Sequence, residues 1–453
     1  MAAPIETQSL VFDPADAKAA LAQLPQSSAV FALCFDEVPP DGSSVGQGAE
    51  AHFEPYIGRT PNLRGRLERL LQPSAKHPRR LQLAGLVRRI EWRLTGSDFE
   101  SLLVQFELLE KIHGAKCLER MHLRQSAFVR FLGGNAYPRI AVTYHPCQRE
   151  AQWAYGPFPS RTAAERFVDE TLKLFLLRRC TEEVVPNPTN PGCVYSEMKM
   201  CLAPCCQGCS AERYAEEAAA VEQFLATRGE SRLNALRAER DKASARLEFE
   251  AAAALHAQVA RVESVRALAP ELVRPLSQLR AVILQASANP GEVAVFLYEN
   301  GRLRGPAGFS TLGMRIQNEQ SGSTSLFAQP MAIEAVPEAA DASPEKALAS
   351  SVAIDTTPPQ AASIAPAKLP RGLLEARMEA ALAALSEPAR SPSATLRQGH
   401  LALVKRWYYR PEARRSGEIF FPNAEGRWPV KAMLRGVGRV FASGFKSPLS
   451  SSK

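Results

Sequence analysis

The stretch that decides the fold of the first part of this chain is residues 56–66, Tyr-Ile-Gly-Arg-Thr-Pro-Asn-Leu-Arg-Gly-Arg. An apolar strand end runs here into a helix that carries several arginines. The glycine lets another chain segment approach the backbone closely. The guanidinium groups of Arg59 and Arg66 have the forked geometry that binds phosphate oxygens. The stretch therefore predicts a strand, a turn and a helix with a phosphate-binding surface; the alternative is a solvated amphipathic helix after a strand.

The residues on either side extend this unit into a small α/β domain. Upstream, Ala29–Phe35 is an apolar strand, and the polar segment Glu37–Glu50 predicts a long hairpin loop. Downstream, Val87–Leu94 alternates well enough for a third strand, and residues 97–100 have the Ser-x-x-Glu form of a helix capping box. A helix that begins there would bury the residues that recur at helical spacing, which are Phe99, Leu102, Leu103, Phe106 and Leu109.

The order of these segments resembles the GIY-YIG nuclease domain, in the form YIG-(K/R)-xx-NL-xx-R carried by the UvrC family of excinuclease subunits. The resemblance implies that Tyr56, Arg59 and Arg66 are catalytic. It implies a nucleic-acid-binding surface made of Arg59, Asn62, Arg64, Arg66 and Arg69. It also implies magnesium or manganese as the cofactor of an active nuclease.

Two positions depart from that family pattern. Phe31 stands where the first half of the motif has its tyrosine, and it has no hydroxyl to accept a proton or position a water. Gln105 stands where the helix carries the metal-binding glutamate, and a neutral amide is a poor ligand for a hard divalent cation. Glu107 lies about 200° around the helix from Gln105, so it points nearly the other way. We therefore expect a domain that keeps its fold and DNA-facing surface but has a degenerate catalytic site.

Positive charge is concentrated in two parts of a chain whose formal net charge is +8. Residues 56–93 contain ten lysines and arginines against two glutamates, and residues 397–453 contain twelve against three glutamates. Clustered cations neutralise phosphates and release counterions, so both parts are candidate nucleic-acid surfaces. The alternative is that they are only solvated faces.

The cysteine count and the absence of long apolar segments indicate the compartment. The chain has nine cysteines, an odd number, with no apolar run of membrane-spanning length and no signal peptide. These features predict a reducing, cytoplasmic location with free or metal-bound thiols and no disulfides. Cys34, Cys117 and Cys147 stand alone and are expected to be ordinary buried residues.

A dense group of cysteines in a Pro- and Gly-containing stretch predicts a metal site, because crowded thiolates repel one another unless a soft cation binds them. The cysteines whose order and spacing resemble the iron–sulfur set of the UvrC family are Cys180, Cys193, Cys201 and Cys205. The resemblance implies a four-iron, four-sulfur cluster on these thiolates. Structural zinc is the alternative, because Cys206 and Cys209 add a zinc-like pair.

Two further segments lie between these blocks and resemble UvrC-family landmarks. Tyr137–Ile140 resembles a YPYI strand, and Tyr155–Ser160 resembles a YFGPYPS turn that opens a helix. Each alone would be an ordinary strand edge or turn that contains proline. Their order along the chain supports the resemblance.

The helical composition of residues 210–268 contains a possible partner-binding hairpin. Residues 247–259 resemble the UVR motif, through which UvrC pairs with the helicase-like subunit UvrB. The resemblance implies that Phe249, Leu255 and Val259 contact this partner, although His-Ala replaces the usual Arg-Asp pair. The alternative is a helical hairpin that packs only within the chain.

The remainder of the chain fits none of the further domains of that family. A UvrC-family protein would continue into an RNase H-like endonuclease domain and helix-hairpin-helix repeats, so the sequence resembles a truncated homologue. Residues 281–285 and 292–298 predict two short strands, and residues 317–394 predict a disordered linker interrupted by a helix at 373–385. Aromatic residues alternate with arginines after residue 400. This pattern predicts either exposed rings that stack on nucleic-acid bases or a small core that packs on the preceding strands.

Together these segments predict an α+β protein. Its expected parts are a GIY-YIG nuclease-like domain (20–115), a strand and helical region with the cysteine cluster (116–210), a UVR-like helical hairpin (211–268), short strands (269–316), a mostly disordered linker (317–395) and a basic aromatic module (396–453). Three functions fit. The first is a nuclease of nucleotide excision repair that incises DNA on the 3′ side of a lesion. The second is a non-catalytic adaptor that binds DNA and UvrB, and the third is an interaction protein of another pathway that reuses the fold.

Overall fold

The computed structural model describes residues 8–35, 54–71, 83–145, 154–314, 370–386 and 392–444. The predicted loop at 37–50, most of the predicted linker, and Cys147 lie outside these residues. Within them the protein is α+β, as predicted, with three antiparallel four-stranded sheets and helices packed on them. No helix in the described ranges is long and apolar enough to cross a bilayer.

The first sheet contains the YIG stretch at one edge. Its strands are β1 (Gln8–Val11), β2 (Ala29–Phe35), β3 (Tyr56–Thr60) and β4 (Val87–Leu94). They lie in the order β1-β4-β2-β3, and β2 and β4 have the predicted bounds. Helices α1 (Ala17–Ala22) and α2 (Leu63–Leu71) pack on one face, where Phe31, Leu63 and Leu67 share a core.

The third helix covers the other face of this sheet. Helix α3 (Asp98–His113) contacts β2 and β3, and Ile57 of β3 packs against its apolar core. The helix begins where the capping box predicts, because the Ser97 hydroxyl accepts a hydrogen bond from the Glu100 amide at 3.1 Å. The Glu100 carboxylate reaches one residue further back than a capping box requires, to the Gly96 amide at 2.9 Å. A one-turn helix, α4 (Cys117–Arg120), follows.

The second sheet carries the cysteine-rich loop and three long helices. Its strands are β5 (Ala127–Phe131), β6 (Ile140–Thr143), β7 (Ala154–Phe158) and β8 (Arg274–Pro275), in the order β6-β5-β7-β8. The helices are α5 (Arg161–Thr171), α6 (Val194–Glu197), α7 (Ala211–Ala226), α8 (Glu230–Ala245) and α9 (Phe249–Ala267). The stretch 155–160 forms the end of β7 and the Ser160 cap of α5, with the Ala163 amide 3.1 Å from the Ser160 hydroxyl.

The third sheet joins chain segments from before and after the predicted linker. Its strands are β9 (Ala281–Ala286), β10 (Glu292–Glu299), β11 (Arg302–Ser310) and β12 (Glu418–Phe420), in the order β11-β10-β9-β12. Helices α10 (Arg371–Leu385), α11 (Ala394–Tyr408) and α12 (Val430–Gly444) pack on it. Because β12 pairs with β9, the C-terminal residues complete the sheet of the preceding strands.

The C-terminal aromatic residues form a core, which was one of the two predicted alternatives. Trp407 is 1% exposed, and its indole N–H donates to the Ser416 carbonyl at 2.9 Å. Trp407 is therefore not available to stack on a base. Tyr408 and Tyr409 are half-buried, and the Tyr409 hydroxyl donates to the Pro157 carbonyl at 2.9 Å.

Helix α3 is shared between the first sheet and the unit formed by the third sheet with helices α10, α11 and α12, here called the C-terminal unit. The ring of Phe99 lies 5.3 Å from that of Phe296 and 5.5 Å from that of Trp407. Helix α11 approaches α3 closely at Gly399, where a Cβ atom would lie 2.0 Å from Cζ of Phe106. All five residues predicted for the buried face of α3 lie in this core. The C-terminal unit is thus packed directly against α3, the helix that covers the first sheet.

Candidate functional site

The two predicted half-motifs are adjacent strands of the first sheet. Phe31 lies opposite Gly58, and Leu33 lies opposite Tyr56. The rings of Phe31 and Tyr56 are 6.1 Å apart; Phe31 is 1% exposed and Tyr56 is 41% exposed. Gly58 is required by this packing, because a Cβ atom there would lie 2.5 Å from Cζ of Phe31. The Tyr56 phenol is therefore accessible, and the buried ring beside it has no hydroxyl.

Two residues predicted to bind nucleic acid have local roles in holding α2. The Asn62 side-chain oxygen accepts a hydrogen bond from the Gly65 amide at 2.9 Å, as an N-cap does. The Arg64 Nε donates to the Leu24 carbonyl at 2.7 Å and so ties α2 to the end of α1. An asparagine directly before a helix was the sequence signal for the cap.

The other arginines of α2 are more available. The Arg69 Nε donates to the Gly65 carbonyl of its own helix, and its side chain is exposed. Arg66 is half-buried and forms no ion pair with another residue in the described part of the chain. These two side chains are the members of the predicted surface best placed to meet a phosphate from solvent.

Arg59 is held in a charge bridge that the sequence did not predict. The Asp98 carboxylate pairs with Arg59 through Oδ1 and with Arg410 through Oδ2, the latter at 2.8 Å. Partial burial acts to raise the pKa of Asp98, but the hydrogen bonds and charges of Arg410 and Arg59 outweigh it and lower the pKa. Asp98 is the first residue of α3, where the helix dipole also favours an anion. The C-terminal unit therefore contributes a cation beside the YIG stretch.

The carboxylates on α3 do not form a metal site around Gln105. Gln105 is half-buried, whereas Glu100 is 3% exposed and lies 4.0 Å from an Arg93 nitrogen. Burial raises the pKa of both Glu100 and Glu107. Across the described ranges, no group of three or more His, Cys, Asp or Glu side chains is placed to hold a metal ion.

The cysteine-rich loop is organised by a buried arginine that the sequence did not single out. The Arg178 side chain donates to the carbonyl oxygens of Tyr137, Cys180 and Glu182, and one of its nitrogens lies 3.5 Å from the Cys180 sulfur. Its backbone amide donates to the Tyr214 hydroxyl at 3.1 Å, which links the loop to α7. A buried cation beside this loop suits sulfur ligands that carry negative charge.

The four predicted metal ligands lie close enough to one another for their charges to interact. Burial, opposed by the Ala203 amide and helped by the nearby thiols of Cys180, Cys193 and Cys205, raises the pKa of the Cys201 thiol to about 11. The Cys201 sulfur accepts a hydrogen bond from the Ala203 amide at 3.3 Å. The donor type and the mutual proximity fit a soft metal ion or cluster, although among the described residues no three such side chains are grouped so that they could hold one.

The region around this loop is similar to a known protein family. Residues 129–224, from within β5 to within α7, match the family model described as UvrC/Cho excinuclease, middle domain. Over this region the chain is similar to UvrC proteins.

Curated relatives agree with this assignment. The UvrC-like chain is 30% identical over 212 residues to UvrABC system protein C of Alcanivorax borkumensis, a match that covers 47% of this chain and 34% of the relative. It is 28% identical over 257 residues to UvrABC system protein C of Pseudomonas putida, covering 56% of this chain and 41% of that protein. The chain thus spans less than half the length of these relatives. No solved structure shows a significant similarity to it.

The predicted partner-binding residues of this UvrC-like chain differ in exposure. Helices α8 and α9 pack as an antiparallel hairpin joined at residues 246–248. Phe249 is 68% exposed and Leu247 is 71% exposed at its tip. Leu255 is partly buried, and Val259 is 4% exposed in the core of the hairpin. Val259 therefore supports the hairpin from within, and the exposed large apolar side chains of the described hairpin are Leu247 and Phe249 at its tip.

Proposed function

We propose that this UvrC-like protein acts in nucleotide excision repair as a DNA-binding adaptor whose YIG site does not perform metal-assisted incision. The observation that carries the proposal is the pair of substitutions at the chemical centre: Phe31 offers no hydroxyl, and Gln105 offers no anionic oxygen. The accessible Tyr56, Arg66 and Arg69 keep a surface on which a DNA phosphate can rest.

The physical reason is charge compensation. Incision by this kind of site needs a hard divalent cation to stabilise the negative charge that develops on the phosphate. A magnesium ion binds carboxylates far better than a neutral amide, because only the carboxylate offsets its charge. The carboxylates of Glu100 and Asp98 are engaged by the Gly96 amide and by two arginines, respectively. The chain's own residues thus bind and orient DNA without holding the metal.

Incision of a lesion-bearing duplex tests this proposal directly. The wild type would be incubated with UvrA, UvrB and magnesium or manganese, beside the double variant Phe31→Tyr/Gln105→Glu and the variant Arg66→Ala. We expect no cutting by the wild type and cutting only after the two residues are restored. Cutting by the wild type that Arg66→Ala abolishes would instead establish an active nuclease, which incises on the 3′ side as the UvrC resemblance implies.

DNA binding gives a second, independent test through the charge bridge. In the proposed surface, Asp98 competes with DNA for Arg59 and Arg410, so Asp98→Asn should tighten duplex binding and steepen its salt dependence by about one counterion. Asp241→Asn is the matched control, since it removes the same charge from an exposed pair with Arg240 on α8. An equal effect of both variants on the salt dependence would place Arg59 and Arg410 off the DNA surface.

We also propose that the exposed hairpin tip binds a UvrB-like helicase subunit. An exposed phenylalanine at the tip of a helical hairpin is suited to insert into an apolar pocket of a partner. The motif resemblance supplies the identity of the partner.

The third part of the proposal concerns the cysteines. Cys180, Cys193, Cys201 and Cys205 would hold a four-iron, four-sulfur cluster with a structural role, and zinc is the alternative. Such a group, when bound, would cross-link the loop between α5 and α7. Metal analysis and an absorption spectrum of anaerobically purified protein decide the matter. A broad band near 400 nm with about four irons per chain is expected; zinc in their place, or no metal, contradicts the cluster.

A further inference from the structure

We propose that the protein has a phosphate-binding pocket at the junction of the α7–α8 turn, α9 and the second sheet, separate from the YIG stretch. A cavity of about 290 Å³ opens there, lined by Tyr155, Arg228, Glu263, Arg266, Ala267 and Ala269. Nothing in the proposed function uses this cavity. Its ligand is assigned from the charges that surround it.

Arg228 lines the cavity, and Arg274 lies near enough to repel it, with its own charge only partly offset by Glu271. Arg228 and Arg274 are both half-buried, and neither forms an ion pair with a residue of the described part of the chain. The Arg228 Nε is buried and has no hydrogen-bond partner there, and the Arg274 Nε donates to the Glu271 carbonyl at 2.8 Å. Burial and the charge of Arg228 lower the pKa of Arg274 to about 10, against the opposing charge of Glu271. Two cations that repel each other in a partly desolvated site are costly unless an anion joins them.

The other charges around the cavity are already compensated. The Glu263 carboxylate pairs with Arg237 at 2.8 Å. Arg266 pairs with Glu230 on α8. The charge that remains without an ion pair is therefore that of Arg228, together with Arg274, which Glu271 offsets in part, and it is positive.

The donors at the cavity suit a tetrahedral oxyanion. Burial raises the pKa of Tyr155 to about 12, so its phenol keeps its proton and can donate a hydrogen bond. Arg228 hydrogen-bonds to the Tyr155 phenol and has its Nε free. Guanidinium groups bind phosphate oxygens through parallel hydrogen bonds, which makes a phosphate group the ligand that fits this donor set.

The turn that presents Arg228 is held in place before any ligand arrives. Arg228 has a φ of +54°, in the left-handed region that non-glycine residues rarely adopt, and Gly229 follows at +84°. The Arg266 Nε donates to the Arg228 carbonyl at 2.9 Å and so fixes this conformation. A preorganised site loses less entropy on binding.

The phosphate can come from two sources, a small phosphate compound or the backbone of DNA. Inorganic phosphate would be titrated into the full chain at constant ionic strength, and a short duplex would be titrated across a range of salt concentrations. Arg228→Gln and Arg274→Gln are the test variants. Arg246→Gln is the matched control, because it removes one exposed arginine from the turn between α8 and α9.

We expect both test variants to weaken the binding of one of these ligands by about tenfold or more, and Arg246→Gln to leave it unchanged. Loss of inorganic phosphate binding identifies a small-anion pocket. A loss confined to duplex DNA, with a salt slope smaller by about one, identifies a DNA backbone contact. If neither ligand distinguishes the test variants from Arg246→Gln, the proposal is overturned.

Stability without ligand separates this role from a structural one. Because Arg274 is repelled by Arg228, Arg274→Gln should leave the unfolding midpoint unchanged or higher in phosphate-free buffer, and it should remove the rise that phosphate causes in the wild type. A fall in the midpoint together with an unaltered phosphate response would mean that Arg274 only packs against Phe421, whose ring centroid lies 4.2 Å from its guanidinium carbon.

Discussion

The docking of the C-terminal unit onto α3 depends on one glycine, which makes Gly399→Ala a sharp test of the architecture. The added Cβ would lie 2.0 Å from Cζ and 2.3 Å from Cε2 of Phe106. Carbon atoms in contact need about 3.5–4.0 Å, so the helices must separate by about 1.5 Å or the ring must turn. Phe106 is fully buried, which leaves the ring no free space.

Two opposing effects set the change in the free energy of unfolding that Gly399→Ala causes. Replacing glycine by alanine inside a helix gains about 1 kcal/mol of helix propensity. Overpacking of a filled core costs about 1–3 kcal/mol, and this contact belongs at the upper end because the ring is enclosed by α3, α11 and the third sheet. We therefore expect the free energy of unfolding to fall by about 2 kcal/mol.

Urea unfolding of both variants in parallel provides the assay. Gly438→Ala is the matched control, since the same change inside α12 would place the Cβ with no atom within 4 Å. It should raise the free energy of unfolding by about 0.5–1 kcal/mol. Adding Phe106→Leu to Gly399→Ala should recover part of the loss. If Gly399→Ala is as stable as Gly438→Ala, the close approach of α11 to α3 is wrong.

Three further outcomes follow from individual side chains. Burial lowers the pKa of His400 from its ordinary value of 6.5 to about 3, so the folded protein keeps the neutral imidazole. As the pH falls below 6.5, the unfolded chain binds a proton that the folded chain does not. The free energy of unfolding should therefore be about 2 kcal/mol lower at pH 5 than at pH 8. An unfolding midpoint profile that His400→Gln fails to flatten would contradict this. Phe249→Ala should abolish co-elution with UvrB and change the free energy of unfolding by less than about 0.5 kcal/mol. Val259→Ala should lower the free energy of unfolding by about 1–2 kcal/mol. Unaltered co-elution of the Phe249 variant would show that the hairpin tip is not the contact with UvrB. Arg69→Ala should reduce the salt slope of DNA binding by about one and leave the stability unchanged. Arg64→Ala should lower the unfolding midpoint, because its hydrogen bond to the Leu24 carbonyl is lost. The reverse pattern would mean that Arg64 contacts DNA and Arg69 holds the fold.

Local patterns in the sequence were sufficient to place two strands of the first sheet and the start of helix α3. The strands 29–35 and 87–94 have the bounds that apolar alternation predicts, and Ser97 caps α3 as expected. The same holds for α10, which begins at Arg371 against a predicted start at residue 373. Such signals are short-range, because hydrophobic period and capping chemistry act within one or two turns.

The candidate site was predictable only in part. The YIG stretch and the departures at Phe31 and Gln105 are visible from residue types alone. Val259 was expected on a contact surface for a partner, but it lies in a buried core. The spacing of apolar residues shows that one face of a helix will be covered, and it does not show whether the same chain or a partner covers that face.

What the sequence determined by itself is the resemblance to UvrC proteins, the α+β class, the positions of the main strands and helices, and the residue types at positions 31 and 105. The tertiary structure decided which distant residues meet: Arg410 beside Asp98, Gly399 against Phe106, and Arg228 beside Arg274. These contacts join segments that are far apart in the sequence, so the spacing of apolar residues within a helix or strand does not predict them. Their positions depend on how the three sheets pack, and packing is set by the summed burial of many side chains.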